Sequence, residues 1–157
     1  MTIVRRPIRP DDAAGLTGLH ARMSERTRYL RFFTPCPRIP ATLRHRFVTV
    51  DHHSREAFVA LSGTHVVGVG SYERVSPTEA EVALVVEDAF QGTGIGRALL
   101  ADLALAARSN GIERFVGLVL PENTGVLRWI RPYPVERGFA DGLMRLGFPL
   151  GSPLPAA

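Results

Sequence analysis

Hydrophobic residues follow two different spacings along the chain. Between residues 11 and 50 they recur at helical spacing, with Leu16, Leu19 and Met23 on one face. We expect a strand over residues 2–8, a helix capped by Asp11 that runs to Met23, a helix over 24–33 and a helix over 41–50.

From Arg55 onward the spacing changes to that of β-strands. Runs over residues 56–61, 65–75 and 80–86 are rich in apolar and β-branched residues and are separated by short turns. Short turns join neighbouring antiparallel strands. These runs therefore predict a three-stranded meander.

The last part of the chain predicts a parallel crossover. A helix over 97–108 and an apolar strand over 113–120 follow the strand over 80–86, and such units are almost always parallel and right-handed. A short helix over 121–130 and one or two strands over 135–146 complete the pattern. The elements predict an α+β (mixed α/β) fold with a central, mostly antiparallel sheet.

A glycine-rich segment, Gln91-Gly92-Thr93-Gly94-Ile95-Gly96-Arg97, lies between a predicted strand and a predicted helix. This position gathers unpaired backbone N–H groups at the positive end of a helix dipole, which favours an anion. Glycine allows close approach of a phosphate and positive φ angles. The segment is not a P-loop, because no Gly-Lys-Ser/Thr closes it, and it lacks the third glycine of the dinucleotide fingerprint.

The pattern Gln91-x-x-Gly94-x-Gly96 resembles the pyrophosphate loop of the GNAT superfamily of N-acetyltransferases, whose pattern is Gln/Arg-x-x-Gly-x-Gly/Ala. The match extends to Phe90 before the loop and Leu99-Leu100 after it. The resemblance implies acetyl-CoA as cosubstrate, with its pyrophosphate on backbone N–H groups of the loop. The implied cosubstrate site comprises Val85, Val86, Gln91, Gly92, Gly94, Ile95, Gly96, Arg97 and Asn123.

The resemblance extends over nearly the whole chain. Other matching stretches are Arg9-Pro10-Asp11-Asp12, residues 28–33, Ala80-Glu81-Val82-Ala83 and residues 119–123. They are most similar to the catalytic domain of bacterial protein lysine acetyltransferases, including those fused to nucleotide-sensing domains. The resemblance implies the GNAT fold. It leaves either a protein lysine or a small-molecule amine as acceptor, because the superfamily uses one CoA site for many acceptors.

Glu81 is the candidate general base. An ammonium must lose a proton before it can attack a thioester, which calls for a carboxylate or histidine nearby. Glu81 is the only charge between Ala80 and Val86, and a charge in a buried strand needs a partner or a function. The resemblance assigns the base role to this glutamate. The alternative is that Glu81 faces solvent or pairs with a structural arginine.

Three further assignments come from the resemblance. A backbone N–H near Val85 or Val86 is expected to donate to the acetyl oxygen. Asn123 either contacts CoA or caps the next helix, since asparagine is a preferred capping residue. Tyr29, Phe32 and Phe33 either line an acceptor groove or pack on the core.

One position departs from the superfamily pattern. A tyrosine that protonates the leaving thiolate often lies seven residues after the asparagine, but that position is Ile130. Tyr133 is nearby, and it corresponds better to the aromatic residue that opens the next strand. No general acid is therefore assigned. A non-catalytic CoA or acyl-CoA sensor module remains the alternative function.

Composition narrows the remaining possibilities. The 157 residues predict one domain over 1–157. One cysteine, Cys36, excludes an internal disulfide, and no apolar run is long enough to span a membrane. We expect a cytoplasmic protein, as monomer or homodimer. The net charge of +4, from arginines without any lysine, favours a polyanionic ligand such as CoA. The basic residues are too scattered to indicate nucleic-acid binding. The pair His52-His53 does not indicate a metal site, because no further ligands occur at a suitable spacing.

Overall fold

The computed structural model describes residues 2–151, which form one seven-stranded sheet with five helices. The strands are β1 (Ile3–Pro7), β2 (Arg55–Ser62), β3 (His65–Arg74), β4 (Glu79–Val86), β5 (Arg114–Val119), β6 (Glu136–Ala140) and β7 (Leu143–Pro149). The helices are α1 (Ala13–Arg22), α2 (Glu25–Phe32), α3 (Ala41–Val48), α4 (Ile95–Ser109) and α5 (Thr124–Ile130). Within these residues, no helix is long and apolar enough to cross a membrane.

The sheet has the order β1-β2-β3-β4-β5-β7-β6. The predicted meander is confirmed, because β2, β3 and β4 pair antiparallel in succession. The predicted crossover is confirmed as well, since β4 and β5 pair parallel. The last segment forms a β6–β7 hairpin around Asp141-Gly142, and β7 inserts between β5 and β6. The fold class is therefore the mixed α/β class that the pattern predicts.

Helices cover both faces of the sheet. One face packs against α1 and α3 through a buried cluster: Ile8, Leu16, Leu19, Met23, Val48, Ala57, Val59, Val66 and Val69. On the other face, α4 contacts β2, β3 and β4. A Cβ on Gly70 of β3 would lie 2.9 Å from a methyl group of Leu103. Glycine at this position lets α4 lie directly on the strand that adjoins β4.

The start of α1 differs from the prediction. Asp11 does not cap the helix, because a single 3₁₀ turn, Pro10–Asp12, comes first and leads directly into α1. The buried residue is Asp12, whose carboxylate accepts two hydrogen bonds of 2.8 Å from the Arg6 guanidinium and one of 2.7 Å from the Arg9 N–H. The hydrogen bond from Arg6 is the main cause of a lowered pKa at Asp12, and desolvation opposes it.

We expect Asp12→Asn to lower the free energy of unfolding by about 3 kcal/mol at pH 7, because it leaves the Arg6 cation without its counter-charge. The folded-state pKa of Asp12 lies below the ordinary 3.8. The stabilisation is therefore complete above pH 3.8 and is lost as the pH falls through the folded-state pKa. Urea unfolding of the unsubstituted protein and of the Asp12→Asn variant, at pH 7 and at pH 3, measures the difference in their free energies of unfolding.

Asp11→Asn is the matched control, since Asp11 is exposed and adjacent. Its effect should stay within about 0.5 kcal/mol. Equal losses in the two variants, or a loss in Asp12→Asn that is as large at pH 3 as at pH 7, would contradict the role given to Asp12.

Candidate active site

The strands β4 and β5 separate part-way along their length. They pair at three positions, from Glu79 with Arg114 to Glu81 with Val116. Beyond Glu81 they are no longer paired, although β4 continues to Val86 and β5 to Val119. The outer edge of β5 stays paired with β7 over its whole length. A V-shaped opening therefore lies between two strands of an otherwise continuous sheet.

The opening widens into the β4–β5 cleft, a space of about 690 Å³ between the separated strands, the start of α4, and α5. This volume is in the usual range for small-molecule sites. The residues predicted as general base and as cosubstrate site all line this cleft: Glu81, Val85, Val86, Gln91, Gly92, Gly94, Ile95, Gly96, Arg97 and Asn123. The fold brings together residues that are up to 42 positions apart in the chain (123 − 81).

The glycine-rich segment has the conformation that its sequence predicts. Gly92 and Gly94 adopt φ angles of +75° and +90°, which residues with side chains rarely adopt. Gly94 immediately precedes Ile95, the first residue of α4, and no side chain caps this helix. Ile95 and Gly96, in the first turn of this 15-residue helix, line the cleft, and backbone N–H groups at a helix start are available to an anion.

Gln91 braces this loop through its side chain. Its amide donates to the Val86 carbonyl at 3.0 Å and to the Thr27 hydroxyl at 3.4 Å. Thr93 adds a hydrogen bond of 2.5 Å from its hydroxyl to the Phe90 carbonyl. The Gln91 side chain thus connects the loop to the end of β4 and to α2, a positioning role that the sequence pattern does not show.

Asp88 joins the same region to the start of α2. Its carboxylate accepts hydrogen bonds from the Ser24 N–H at 2.9 Å, the Ser24 hydroxyl at 2.8 Å and the Thr27 hydroxyl at 2.9 Å. Desolvation raises the pKa of Asp88, but these hydrogen bonds outweigh it and the pKa is lowered. Ser24 also caps α2 as predicted, by accepting from the Thr27 N–H. The partner Asp88 lies 64 residues away and carries no local signal.

A second cavity of about 230 Å³ lies between α2, α3 and the sheet, and we call it the α2–α3 cavity. Arg31, Glu81 and Ala83 line both this cavity and the β4–β5 cleft. The expectation that Glu81 is buried is wrong, because its side chain is exposed. On this face of the sheet Glu81 is beside Glu73 of β3, and both line the α2–α3 cavity. Glu81 therefore stands at the junction of two spaces.

Arg31 is a site residue that the sequence interpretation missed. Its guanidinium carbon lies 4.9 Å from the ring centre of Phe32 and 5.8 Å from that of Phe47. Desolvation lowers the pKa of Arg31, and the negative charge of Glu81 opposes that shift. Arginines are frequent along α2 and indicated a solvated face, so nothing in the local pattern distinguishes Arg31 from its neighbours.

The aromatic residues of α2 divide between the two spaces. Phe32 lines the α2–α3 cavity and Phe33 lines the β4–β5 cleft. Phe33 ends the helix with φ of +67°, an unusual value for a bulky residue. This turn directs two consecutive rings into different spaces. Tyr29 lines neither of them.

The far wall of the β4–β5 cleft carries the residues of the 123–133 region. Asn123 is the N-cap of α5, since its side-chain oxygen accepts from the Val126 N–H at 3.3 Å. Ile130 is buried at 6% exposure and lines the cleft, whereas Tyr133 does not. The Arg97 guanidinium lies 6.0 Å from the Trp129 ring, so it extends from α4 toward α5.

Comparison with known proteins agrees with this geometry. Residues 22–131 match the model of the acetyltransferase (GNAT) family. The chain belongs to this family. It is 32% identical over 122 residues to the acetyltransferase Pat of Mycolicibacterium smegmatis, an alignment that covers 75% of the chain and 36% of that relative. The chain thus spans about a third of the relative's length.

Solved structures extend the comparison. The GNAT domain of PAT from S. lividans superimposes with a TM-score of 0.89 at 36% identity, covering 95% of this chain and 91% of that one. The yncA protein of Salmonella typhimurium, solved with its cofactor acetyl-CoA, has a TM-score of 0.75 at 19% identity and covers 100% and 99%. The second likeness shows the fold alone.

Among residues 2–151, no group of three or more metal-ligating side chains occurs.

We expect Gly94→Glu to abolish CoA binding, because a carboxylate would occupy the anion site at the start of α4. The matched control is Gly63→Glu in the β2–β3 turn, where φ is +60° and the space around the Cβ position is likewise open. Both variants strain the backbone and add one negative charge, but Gly63 lies outside the cleft. Isothermal titration with CoA compares them, and retained affinity in Gly94→Glu would remove the anion-site assignment.

Proposed function

We propose that this chain, as a single domain, is an acetyl-CoA-dependent N-acetyltransferase that transfers the acetyl group directly to an amine in a ternary complex. The observation that carries the proposal is the position of Glu81. This carboxylate lies where the β4–β5 cleft meets the α2–α3 cavity, and the start of α4 lines the same cleft. The acceptor is a protein lysine or a small-molecule amine.

The β4–β5 cleft suits acetyl-CoA in shape and in chemistry. The first turn of α4 offers backbone N–H groups to the pyrophosphate, and the helix dipole adds favourable electrostatics. The edge of β4 from Val82 to Val86 has no partner strand on the cleft side, so it can bind the pantetheine arm as a strand would. The yncA protein, which shares the fold, was solved with its cofactor acetyl-CoA, which supports acetyl-CoA as the ligand.

The proposed transfer uses Glu81 as the base. Glu81 accepts a proton from the acceptor ammonium, directly or through one water, and the freed nitrogen lone pair forms a C–N bond with the thioester carbonyl carbon. A β4 N–H near Val85 or Val86 stabilises the charge that develops on the acetyl oxygen. The C–S bond then breaks, and its electron pair leaves on sulfur as the CoA thiolate.

The second proton of the nitrogen completes the balance. It passes to water as the amide forms, water gives a proton to the thiolate, and Glu81 releases the first proton to solvent, so that the products are the N-acetyl compound, CoA and one proton. The side chain of Ile130 is buried and cannot donate a proton. Water takes the place of the missing acid in this scheme.

Ile130 supports a second candidate function. A CoA or acyl-CoA sensor transfers no acetyl group, so it needs no proton donor at this position. Such a module binds CoA and transfers no acetyl group to any amine. Transfer to an acceptor from a broad amine panel separates the two functions.

The test of the cosubstrate site is the melting temperature with and without acetyl-CoA. A ligand at about 100 times its Kd stabilises by roughly 2.7 kcal/mol, which for a chain of this size raises Tm by about 5–10 °C. Desulfo-CoA should give a similar rise, and ATP should not. If acetyl-CoA leaves Tm unchanged, both candidate functions fail.

We expect Glu81→Gln to lower kcat/KM for acetyl transfer about 10²–10⁴-fold at neutral pH, because the amide cannot accept the proton. The rise in Tm with acetyl-CoA should remain. Glu79→Gln is the matched control, since Glu79 is two residues earlier in β4 and lines neither space. Unchanged turnover in Glu81→Gln would exclude Glu81 as the base.

A further inference from the structure

Most charged side chains of the α2–α3 cavity have partners within the protein. Arg46 forms an ion pair with Glu73. The buried Glu56 contacts the His52 ring at 2.8 Å. Arg55 donates to the Thr49 carbonyl at 3.2 Å and to a second carbonyl at 3.5 Å. These contacts give each of these side chains a polar partner in the walls of the cavity.

Arg31 and Glu81 are the two exceptions. Among residues 2–151, neither side chain forms a hydrogen bond, and the two side chains do not form an ion pair with each other within 4.0 Å. Arg31 is half-buried, and its guanidinium lies within cation–π distance of the Phe32 and Phe47 rings. A partly desolvated cation without a hydrogen-bonded partner favours an anionic ligand.

The phosphates of acetyl-CoA are an unsuitable partner for Arg31. The anion site proposed above is at the start of α4, beyond Val86, whereas Arg31 lies beside Glu81 at the opposite end of the cleft. Val86 is five positions beyond Glu81 along the extended strand, a distance of about 16 Å. This distance leaves the acceptor as the substrate that can bring an anion to Arg31.

We infer that the acceptor is a small compound of the amino-acid type, whose carboxylate binds the Arg31 guanidinium while its amine faces Glu81. This inference rests on the proposed acetyl transfer and names its substrate class. A guanidinium matches a carboxylate with two parallel hydrogen bonds. One unpaired cation beside one unpaired anion is the complement of a zwitterion.

The balance of charges favours this class over a protein lysine. An extended lysine side chain brings only its ammonium to Glu81, and it would place that cation beside Arg31 without neutralising the arginine. The α2–α3 cavity has a volume of about 230 Å³. A small zwitterion satisfies both charges within such a volume.

The experiment measures acetyl transfer from acetyl-CoA to the standard amino acids, to their carboxamides and to a lysine-containing peptide. We expect kcat/KM for the preferred amino acid to exceed that for its carboxamide by about 10–100-fold, the range for a hydrogen bond to a charged group. Arg31→Gln should remove this preference by raising KM for the amino acid, with little change for the carboxamide. Equal use of both acceptors, or preference for the peptide, would overturn the inference.

Arg108→Gln controls for the loss of one positive charge, because Arg108 is exposed on α4 and lines neither space. An unchanged rise in Tm with acetyl-CoA shows that Arg31→Gln is folded. If no acceptor is acetylated, the proposed function fails, and calorimetry of the amino acids with the CoA-bound protein decides the inference separately. Binding that requires the carboxylate and is lost in Arg31→Gln supports it, and the absence of such binding refutes it.

Discussion

The separation of β4 from β5 after Glu81 is the constraint on which the rest of the site depends. Backbone groups at a sheet interior normally pair with a neighbouring strand, and leaving them unpaired away from water is unfavourable. The protein tolerates the opening because the other edge of each strand remains paired, β4 with β3 and β5 with β7. The Gln91 amide satisfies one carbonyl at the wide end of the opening, that of Val86. The remaining edge is available to a ligand that hydrogen-bonds like a strand.

The position of α2 converts this opening into a junction between two spaces. Hydrogen bonds from Ser24 and Thr27 to Asp88 anchor the start of the helix beside the glycine-rich loop. From that anchor, α2 extends across β4, so that Arg31 and Phe32 lie near Glu81 about two turns later. The same three hydroxyl and amide contacts thus couple the geometry of the anion site to that of the acceptor side.

Local pattern predicted the elements and the loop, because strand alternation, turn residues and glycine conformation are properties of short segments. The Ser24 cap and the positive φ angles of Gly92 and Gly94 are examples. The features that the sequence missed are non-local. Glu81 is exposed because α2 and α3 leave a cavity above it, and no feature of the segment from Ala80 to Val86 encodes that cavity. Arg31 differs from the other arginines of α2 only through contacts with residues from α3 and β4.

The rings around Arg31 explain why it does not simply pair with Glu81. A direct ion pair would neutralise both groups, but it would also occupy the carboxylate that must accept a proton and fill the space that an acceptor needs. Stacking on Phe32 and Phe47 stabilises the guanidinium by interactions that leave its N–H groups available. Leaving Arg31 and Glu81 unpaired costs the protein some stability. In return, both charges stay available until a ligand supplies a partner for each.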